Sequence, residues 1–206
     1  MSNKMQIILI GGAPTTGKST IAKLLSKHLN LPWFSTDQIR NIMRTATNIK
    51  DLPNLFEPDG YDGEGFLNKF SAEEIVKMEI AQGEITWNGV KDFIKDGHYP
   101  WIDGFILEGI GILPNLIEKD FKNNMNIKSI FLVDENPEKI RKVIFTRGLW
   151  DEAHKYPDYV KEKEVDWVLL FNKKIIVEAK KFGYPIIEVN KHEGDLKTVL
   201  NSLKII

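Results

Sequence analysis

MQIILI-GGAPTTGKST, residues 5–20, is an apolar, β-branched run that breaks at two glycines and gives way to a helical pattern. Met5 to Ile10 shows no alternation of apolar and polar residues, so it reads as a strand buried on both faces of a parallel sheet. From Ser19 to Leu29, apolar residues fall at Ile21, Leu24, Leu25 and Leu29, the spacing of one helix face, and Asn30 and Pro32 stop it. Between the two lies Gly12-Ala13-Pro14-Thr15-Thr16-Gly17-Lys18-Ser19, which matches G-x-x-x-x-G-K-[ST] without a departure. Each part has a physical use. Glycines let the backbone curl until successive N–H groups point inward at phosphate oxygens. The following helix adds its positive N-terminal end. Lys18 reaches the β- and γ-phosphates, and the Ser19 hydroxyl suits Mg²⁺, a hard cation that prefers oxygen. The strand before and the helix after separate this loop from a chance glycine turn. The implied cofactors are ATP and Mg²⁺. The loop residues expected to hold them are Gly12, Ala13, Pro14, Thr15, Thr16, Gly17, Lys18, Ser19 and Thr20, with Ser19 as the metal ligand.

Downstream, strands and helices keep alternating. Pro32–Ser35 is a second strand candidate, and Thr36 and Asp37 are expected to cap a helix that begins near Gln38. Residues 48–68 mix Pro, Gly and Asp with Phe56, Tyr61 and Phe66 and read as a long loop or small lid. Ser71 and Glu74 form a capping box opening a helix to about Lys95, with a break expected at Gln82-Gly83. Gly104–Glu108 and Lys128–Asp134 are the third and fourth strands. Asn136-Pro137 starts a helix to about Arg147, which Gly148 ends. Glu162–Phe182 is a long helix with Gly183 beyond its end, Pro185–Val189 a fifth strand, and Asp195–Leu203 a short final helix. The alternation predicts an α/β fold in three layers, a five-stranded parallel sheet with helices on both faces. We expect one domain over residues 1–206, with an insertion at about 48–103 and a lid at about 148–160.

Composition narrows the function classes. The 206 residues are 42% hydrophobic and 28% charged, enough apolar content for a sizeable core. Lys and Arg number 28 against 29 Asp and Glu, so the excess positive charge that a long polyanion demands is missing, and no nucleic-acid partner is expected. With no cysteine, disulfides and cysteine-ligated zinc are excluded, and His28, His98, His154 and His192 are too scattered for a zinc site. The N-terminal apolar run is too short for a membrane span, and no small-residue cleavage site follows it. The expectation is a cytoplasmic protein without a membrane partner, a monomer or homodimer acting on a small-molecule substrate.

The loop alone does not separate kinases from GTPases or motor ATPases. A guanine-specific N-K-x-D is absent: Asn68-Lys69, Asn172-Lys173 and Asn190-Lys191 all lack the Asp. Glu108 after Phe105-Ile106-Leu107 is a short version of the strand-end acid of oligomeric ATPases. Together with Gly12–Ser19, the segments Ser35-Thr36-Asp37-Gln38-Ile39-Arg40, Ile106-Leu107-Glu108-Gly109 and Arg141 through Arg147 make the chain resemble the small-molecule P-loop kinases. That group includes shikimate kinase, gluconate kinase, chloramphenicol phosphotransferase and 2-phosphoglycerate kinase. The run E-G-x-G-I-L-P at Glu108 to Pro114 looks closest to the 2-phosphoglycerate kinase-like proteins.

The resemblance implies a P-loop NTPase fold and transfer of the γ-phosphoryl of MgATP to a hydroxyl of a small molecule. It implies that Asp37 contacts the acceptor hydroxyl, and that an Arg near the lid, Arg147 before Arg141, closes on the phosphates. Lys18, Asp37 and Arg147 are then the catalytic set, and Asp37, Arg40 and Glu108 the substrate-binding set. Arg40, three residues after Asp37 on one helix face, would suit an anionic substrate group, whereas Glu57, Asp59, Asp62 and Glu64 would suit a cationic one. Glu108 would hold a Mg²⁺-bound water or the substrate. A nucleoside or nucleoside-monophosphate kinase, with a base pocket in residues 48–95, is the alternative within the fold. A nucleotide-binding regulatory ATPase without a small acceptor is the alternative from another class. The tryptophans Trp33, Trp87, Trp101, Trp150 and Trp167 are expected to pack rather than to stack on a ligand.

Overall fold

The apolar run becomes the central strand, β1 (Gln6–Gly12), and the pattern after the loop becomes helix α1 (Lys18–Leu29). The computed structural model describes residues 6–95, 103–147, 153–188 and 192–205. After α1 come β2 (Trp33–Ser35), α2 (Thr36–Thr45), a 3-10 turn (Pro53–Phe56), α3 (Gly63–Lys69) and α4 (Ala72–Lys95). The second half holds β3 (Gly104–Glu108), α5 (Pro114–Phe121), β4 (Ile127–Val133), α6 (Pro137–Thr146), a 3-10 turn (Ala153–Lys155), α7 (Asp158–Phe182), β5 (Ile186–Glu188) and α8 (His192–Ser202).

All five strands are parallel, in the order β2-β3-β1-β4-β5. Successive side chains of a strand point to opposite faces, and β1 uses both faces. Ile7 and Leu9 join Phe105, Leu107 and Phe131 in one core, closed by residues of α4, α5, α6 and α7. Ile8 and Ile10 join Ile106, Ile130 and Leu132 in the other, closed by Ile21 and Leu25 of α1, Val199 and Leu200 of α8, and Leu203 just after it. Each such fully buried aliphatic side chain contributes about 1.5–3 kcal/mol. The three-layer α/β expectation therefore holds, and its cause is a central strand with no polar face.

Register places the functional end. Ser35 lies opposite Glu108, and Glu108 opposite Ile10, so β2, β3 and β1 end abreast of one another. In open parallel sheets, ligands bind beyond the carboxyl ends of the strands.

Several local expectations are corrected. Helix α2 is capped by Ser35, not by Thr36 or Asp37: Ser35 Oγ accepts from the Asp37 N–H at 3.2 Å, and the Ser35 N–H donates to Gln38 Oε1 at 3.0 Å. Asp37 thus sits inside the first turn with its carboxylate not spent on the cap. Helix α4 runs for 24 residues without a break. Gly83 is there for close packing, since a Cβ on it would come within 3.2 Å of the Gly111 Cα. Gln82 is 7% exposed and anchors a loop. The capping box of Ser71 and Glu74 is present, closed by bonds of 2.8 and 3.2 Å. Helix α5 was not expected; Pro114 starts it at the first-turn position. Helix α7 begins one turn earlier than expected, and α8 also begins earlier. Residues 48–68 hold the 3-10 turn and α3 rather than loop alone. Met5, Gly148 and Val189 lie outside the described residues, as do residues 148–152 of the expected lid.

Candidate active site

The chain leaves β1 at Gly12 with φ +137°, where a Cβ would stand 2.1 Å from the Leu132 carbonyl oxygen. Only glycine lets the loop start so close to β4. Thr15 (φ 68°) and Gly17 (φ 78°) are left-handed, the kind of backbone that builds anion-binding concavities of N–H groups. Two bonds to the Ala13 carbonyl oxygen hold the curl, from Thr16 Oγ1 at 2.8 Å and from Lys18 Nζ at 2.7 Å. Gly17 stands at the N-cap of α1 and no side chain caps that end. A helix N-terminus without a capping side chain, ringed by inward amides, is a ready anion site.

A cavity of about 530 Å³ opens beside this loop. It is lined by Pro14, Thr15, Gly17, Lys18, Ser19 and Thr20 of the loop and the start of α1, by Ser35, Asp37, Glu79, Glu108, Gly109 and Ile110, and by Val143, Arg147 and Trp167. The structure thus brings Lys18, Ser19, Asp37, Glu108 and Arg147, distant in sequence, to one space. Gly12, Ala13 and Thr16 are absent from the lining, and Ala13 and Thr16 brace the loop through the bonds just given. Arg40 lies in a narrow polar niche beside the cavity, shared with Asp37, Glu79 and Gln82. Arg141 is absent from the lining; it pairs with Glu162 and lies over the Phe145 ring at 4.3 Å.

Electrostatics mark the same groups. Burial lowers the Lys18 pKa from 10.5 to about 8, against the raising influence of Glu108 and Asp37; Arg147 lowers it further. Glu108, 3% exposed, has its carboxyl pushed up by burial, opposed by Lys18 and by the hydrogen bond from Ser19 Oγ to its Oε1 at 3.0 Å. Glu79 is pushed up from 4.5 to about 7 by burial, with Arg40 pulling it down and Asp37 and Glu57 pushing it up. Perturbed groups clustered in one cleft are the physical mark of a functional site.

Magnesium fits the donors present. Among the described residues no cluster of three or more His, Cys, Asp or Glu is preformed. Mg²⁺ does not need one, since it commonly takes one or two protein oxygens and completes its shell with phosphate oxygens and water. The exposed Ser19 hydroxyl, 3.0 Å from Glu108 Oε1, is such a donor.

Two lining residues escaped the sequence reading. Glu79 sits in an ordinary amphipathic helix, and nothing in its neighbours singles it out. Trp167 packs in the core as expected, 3% exposed, yet it also lines the cavity, and its indole N–H has no hydrogen-bond partner among the described residues. The acids of residues 57–64 are largely engaged elsewhere: Asp59 pairs with Arg44, Asp62 caps α3, and Glu64 accepts from the Tyr159 hydroxyl at 2.5 Å. Glu57 has no hydrogen-bond partner on its Oε2 among the described residues, and none of the four acids lines the cavity.

No family model matches the chain. It is 28% identical over 198 residues to the 2-phosphoglycerate kinase of Methanocaldococcus jannaschii, covering 95% of this chain and 62% of that protein. It is 30% identical over 206 residues to the 2-phosphoglycerate kinase of Methanothermobacter thermautotrophicus, covering 96% of this chain and 63% of that protein. The chain therefore spans somewhat under two thirds of the length of these curated relatives. In fold it matches a shikimate kinase crystal structure from Bacteroides thetaiotaomicron with a TM-score of 0.56 at 16% identity, over 97% of this chain and 99% of that one. Along nearly its whole length the chain is thus similar in sequence to 2-phosphoglycerate kinases, and it shares its fold, phosphate loop included, with a shikimate kinase.

Proposed function

We propose that the chain is a MgATP-dependent phosphotransferase whose acceptor is a hydroxyl of a small molecule. The observation that carries this reading is the convergence of Lys18, Asp37 and Arg147 on one cavity at the carboxyl ends of β1 and β2. Inward amides and the α1 N-terminus would cradle the β- and γ-phosphates. Lys18 and Arg147 would offset the negative charge that spreads over the transferring group. Asp37, exposed to the cavity, would orient the acceptor hydroxyl and take its proton as the new O–P bond forms and the bond to ADP breaks. Ser19 would hold Mg²⁺, which would neutralise phosphate charge when bound. Ile110, Val143 and Trp167 add apolar lining, which would limit the access of water to the acceptor and so transfer to water.

No described helix is long and apolar enough to cross a membrane. The cysteine-free composition suits the cytoplasm.

The test is Asp37→Asn. ADP release is followed with Mg²⁺, ATP and an acceptor panel, and nucleotide affinity is measured by calorimetry. The expected result is a fall in kcat of about 10²–10⁴-fold, with nucleotide affinity unchanged. A wild-type protein without Mg²⁺-dependent ATP affinity, or an Asp37→Asn variant with undiminished turnover, would overturn the reading.

A further inference from the structure

The acceptor end of the cavity carries its own charge logic. Glu79 lies on the face of α4 that also presents Gln82 and Gly83, three and four residues on. Gly83 meets Gly111 almost backbone to backbone, and Gly111 also lies under Thr36 of α2. That contact fixes how near α4 stands to the loop after β3, and so fixes Glu79 as a wall shared by the cavity and the niche. Its Oε2 has no hydrogen-bond partner among the described residues.

The neighbouring cation, Arg40, draws the Glu79 carboxyl down electrostatically but makes no hydrogen bond to its Oε2. Arg40 donates through Nη1 to Gln82 Oε1. Gln82 in turn is moored through Nε2 to the carbonyl oxygens of Asn54 at 3.1 Å and Glu57 at 2.8 Å. The guanidinium is thereby held in the niche, outside the lining of the cavity.

The charged groups facing Glu79 are therefore Asp37 and Arg40 from α2 and Glu57 from the segment after the first 3-10 turn. Lys18, Glu108 and Arg147 share its cavity. Lys18 stands at the phosphate loop and Arg147 on the wall that would close on the nucleotide. What remains for the acceptor, among the described lining residues, is three carboxyl groups: Asp37, Glu79 and Glu108. An acceptor bearing a second phosphate or a carboxylate at this end would meet like charge. An acceptor presenting hydroxyl or ammonium donors would satisfy the unpartnered oxygen of Glu79.

We propose that Glu79 is a specificity-determining residue of the acceptor subsite, selecting a polyol, sugar or amino sugar that offers hydrogen-bond donors and carries no further anionic group at this end. This rests on the phosphotransferase reading above. In this respect the chain departs from relatives named for a phosphorylated acid. Near neutral pH the Glu79 carboxyl is balanced between its neutral and charged forms, so acceptor recognition changes across that range.

The experiment compares wild type, Glu79→Gln and Glu79→Asp, with ADP release as readout. Three acceptor arms are used: uncharged polyols and sugars, amino sugars, and anionic hydroxy compounds including gluconate and 2-phosphoglycerate. Wild type is expected to favour one of the first two arms over the third by about tenfold or more in kcat/KM. Glu79→Gln is expected to raise the KM for that acceptor by about tenfold while the KM for ATP stays within about twofold. It also removes the inflection near pH 7 from the acceptor kcat/KM profile, which Glu79→Asp retains. Compounds that are not turned over are ranked by thermal shift of the complex with a non-hydrolysable ATP analogue. Highest kcat/KM or largest shift in the anionic arm overturns the proposal. So does an absence of any shift in the first two arms, or a Glu79→Gln variant with unchanged acceptor KM and pH profile. Failure of the underlying reading shows separately, as loss of Mg²⁺-dependent ATP binding in calorimetry.

Discussion

Lys18→Met should make the nucleotide-free protein more stable while removing its activity. Lys18 is 8% exposed, and burial depresses its amine from 10.5 to about 8. At about 1.4 kcal/mol per pH unit, holding that cation away from water costs on the order of 3 kcal/mol. Methionine matches the apolar stem and removes the charge. Against this stands the lost bond from Nζ to the Ala13 carbonyl oxygen, worth about 1 kcal/mol. That carbonyl keeps its second partner, Thr16 Oγ1 at 2.8 Å. The net gain is about 2 kcal/mol at pH 7, a rise in Tm of roughly 4–8 °C for a chain of this size.

The gain fades with rising pH. Below about pH 8 the amine is charged in both the folded and the unfolded chain, so the cost is complete. Between about 8 and 10.5 the folded chain has released a proton that the unfolded chain keeps, so wild-type stability rises with pH. The advantage of Lys18→Met should therefore shrink across that window and disappear near its top. Urea denaturation followed by tryptophan fluorescence at pH 7, 8.5 and 10 measures it, and the difference between the two proteins cancels the titration of groups not coupled to Lys18. Phosphoryl transfer should fall by about 10²–10³-fold or more. A variant no more stable than wild type at pH 7, or a gap that does not change with pH, would refute the argument that the lysine is held at a desolvation cost.

Two further substitutions probe how the site is held. Gly109→Ala would put a Cβ 1.8 Å from Thr36 Oγ1 at a φ of +155°, pushing the start of α2, and Asp37 with it, off the cavity wall. Expected are a destabilisation of about 1–3 kcal/mol by denaturation and at least a tenfold fall in kcat/KM, and an unperturbed variant would show that the close approach is not needed. Gln82→Ala strips partners from the Asn54 and Glu57 carbonyls and from Arg40, a loss of about 2–3 kcal/mol in urea denaturation.

The legible parts of the molecule are those whose cause is local. The strand, the glycine loop and the helix of residues 6–29 are contiguous, and each is decided by its own residues: no polar face in Ile7–Ile10, left-handed backbone at Gly17, one apolar stripe in α1. The capping box at Ser71 and Glu74 is equally local, and it formed as read. Asp37 was legible from the end of β2, although its supposed cap belonged to Ser35 two residues earlier. Misreadings began where a local rule met a tertiary reason. Gly83 weakens a helix in isolation, but in the fold it lets α4 press against Gly111, so the helix continues. Helix α5 spans eight residues, about two turns, too little for a periodic signal to stand out.

By itself the sequence determined that a parallel α/β sheet would carry a phosphate-gripping loop followed by an acid at the end of the next strand, because backbone curvature and strand burial are properties of short contiguous segments. It did not determine what faces that acid. Glu79 and Trp167 lie 61 and 149 residues from Lys18 in the chain, on helices whose patterns are indistinguishable from any half-buried helix. Only packing of α2, α4 and the loop after β3 brings Asp37, Arg40, Glu79 and Gln82 into one niche. Only there do burial and like charge give a glutamate a pKa of about 7. Desolvation is a property of the surroundings, and the surroundings are assembled by the fold.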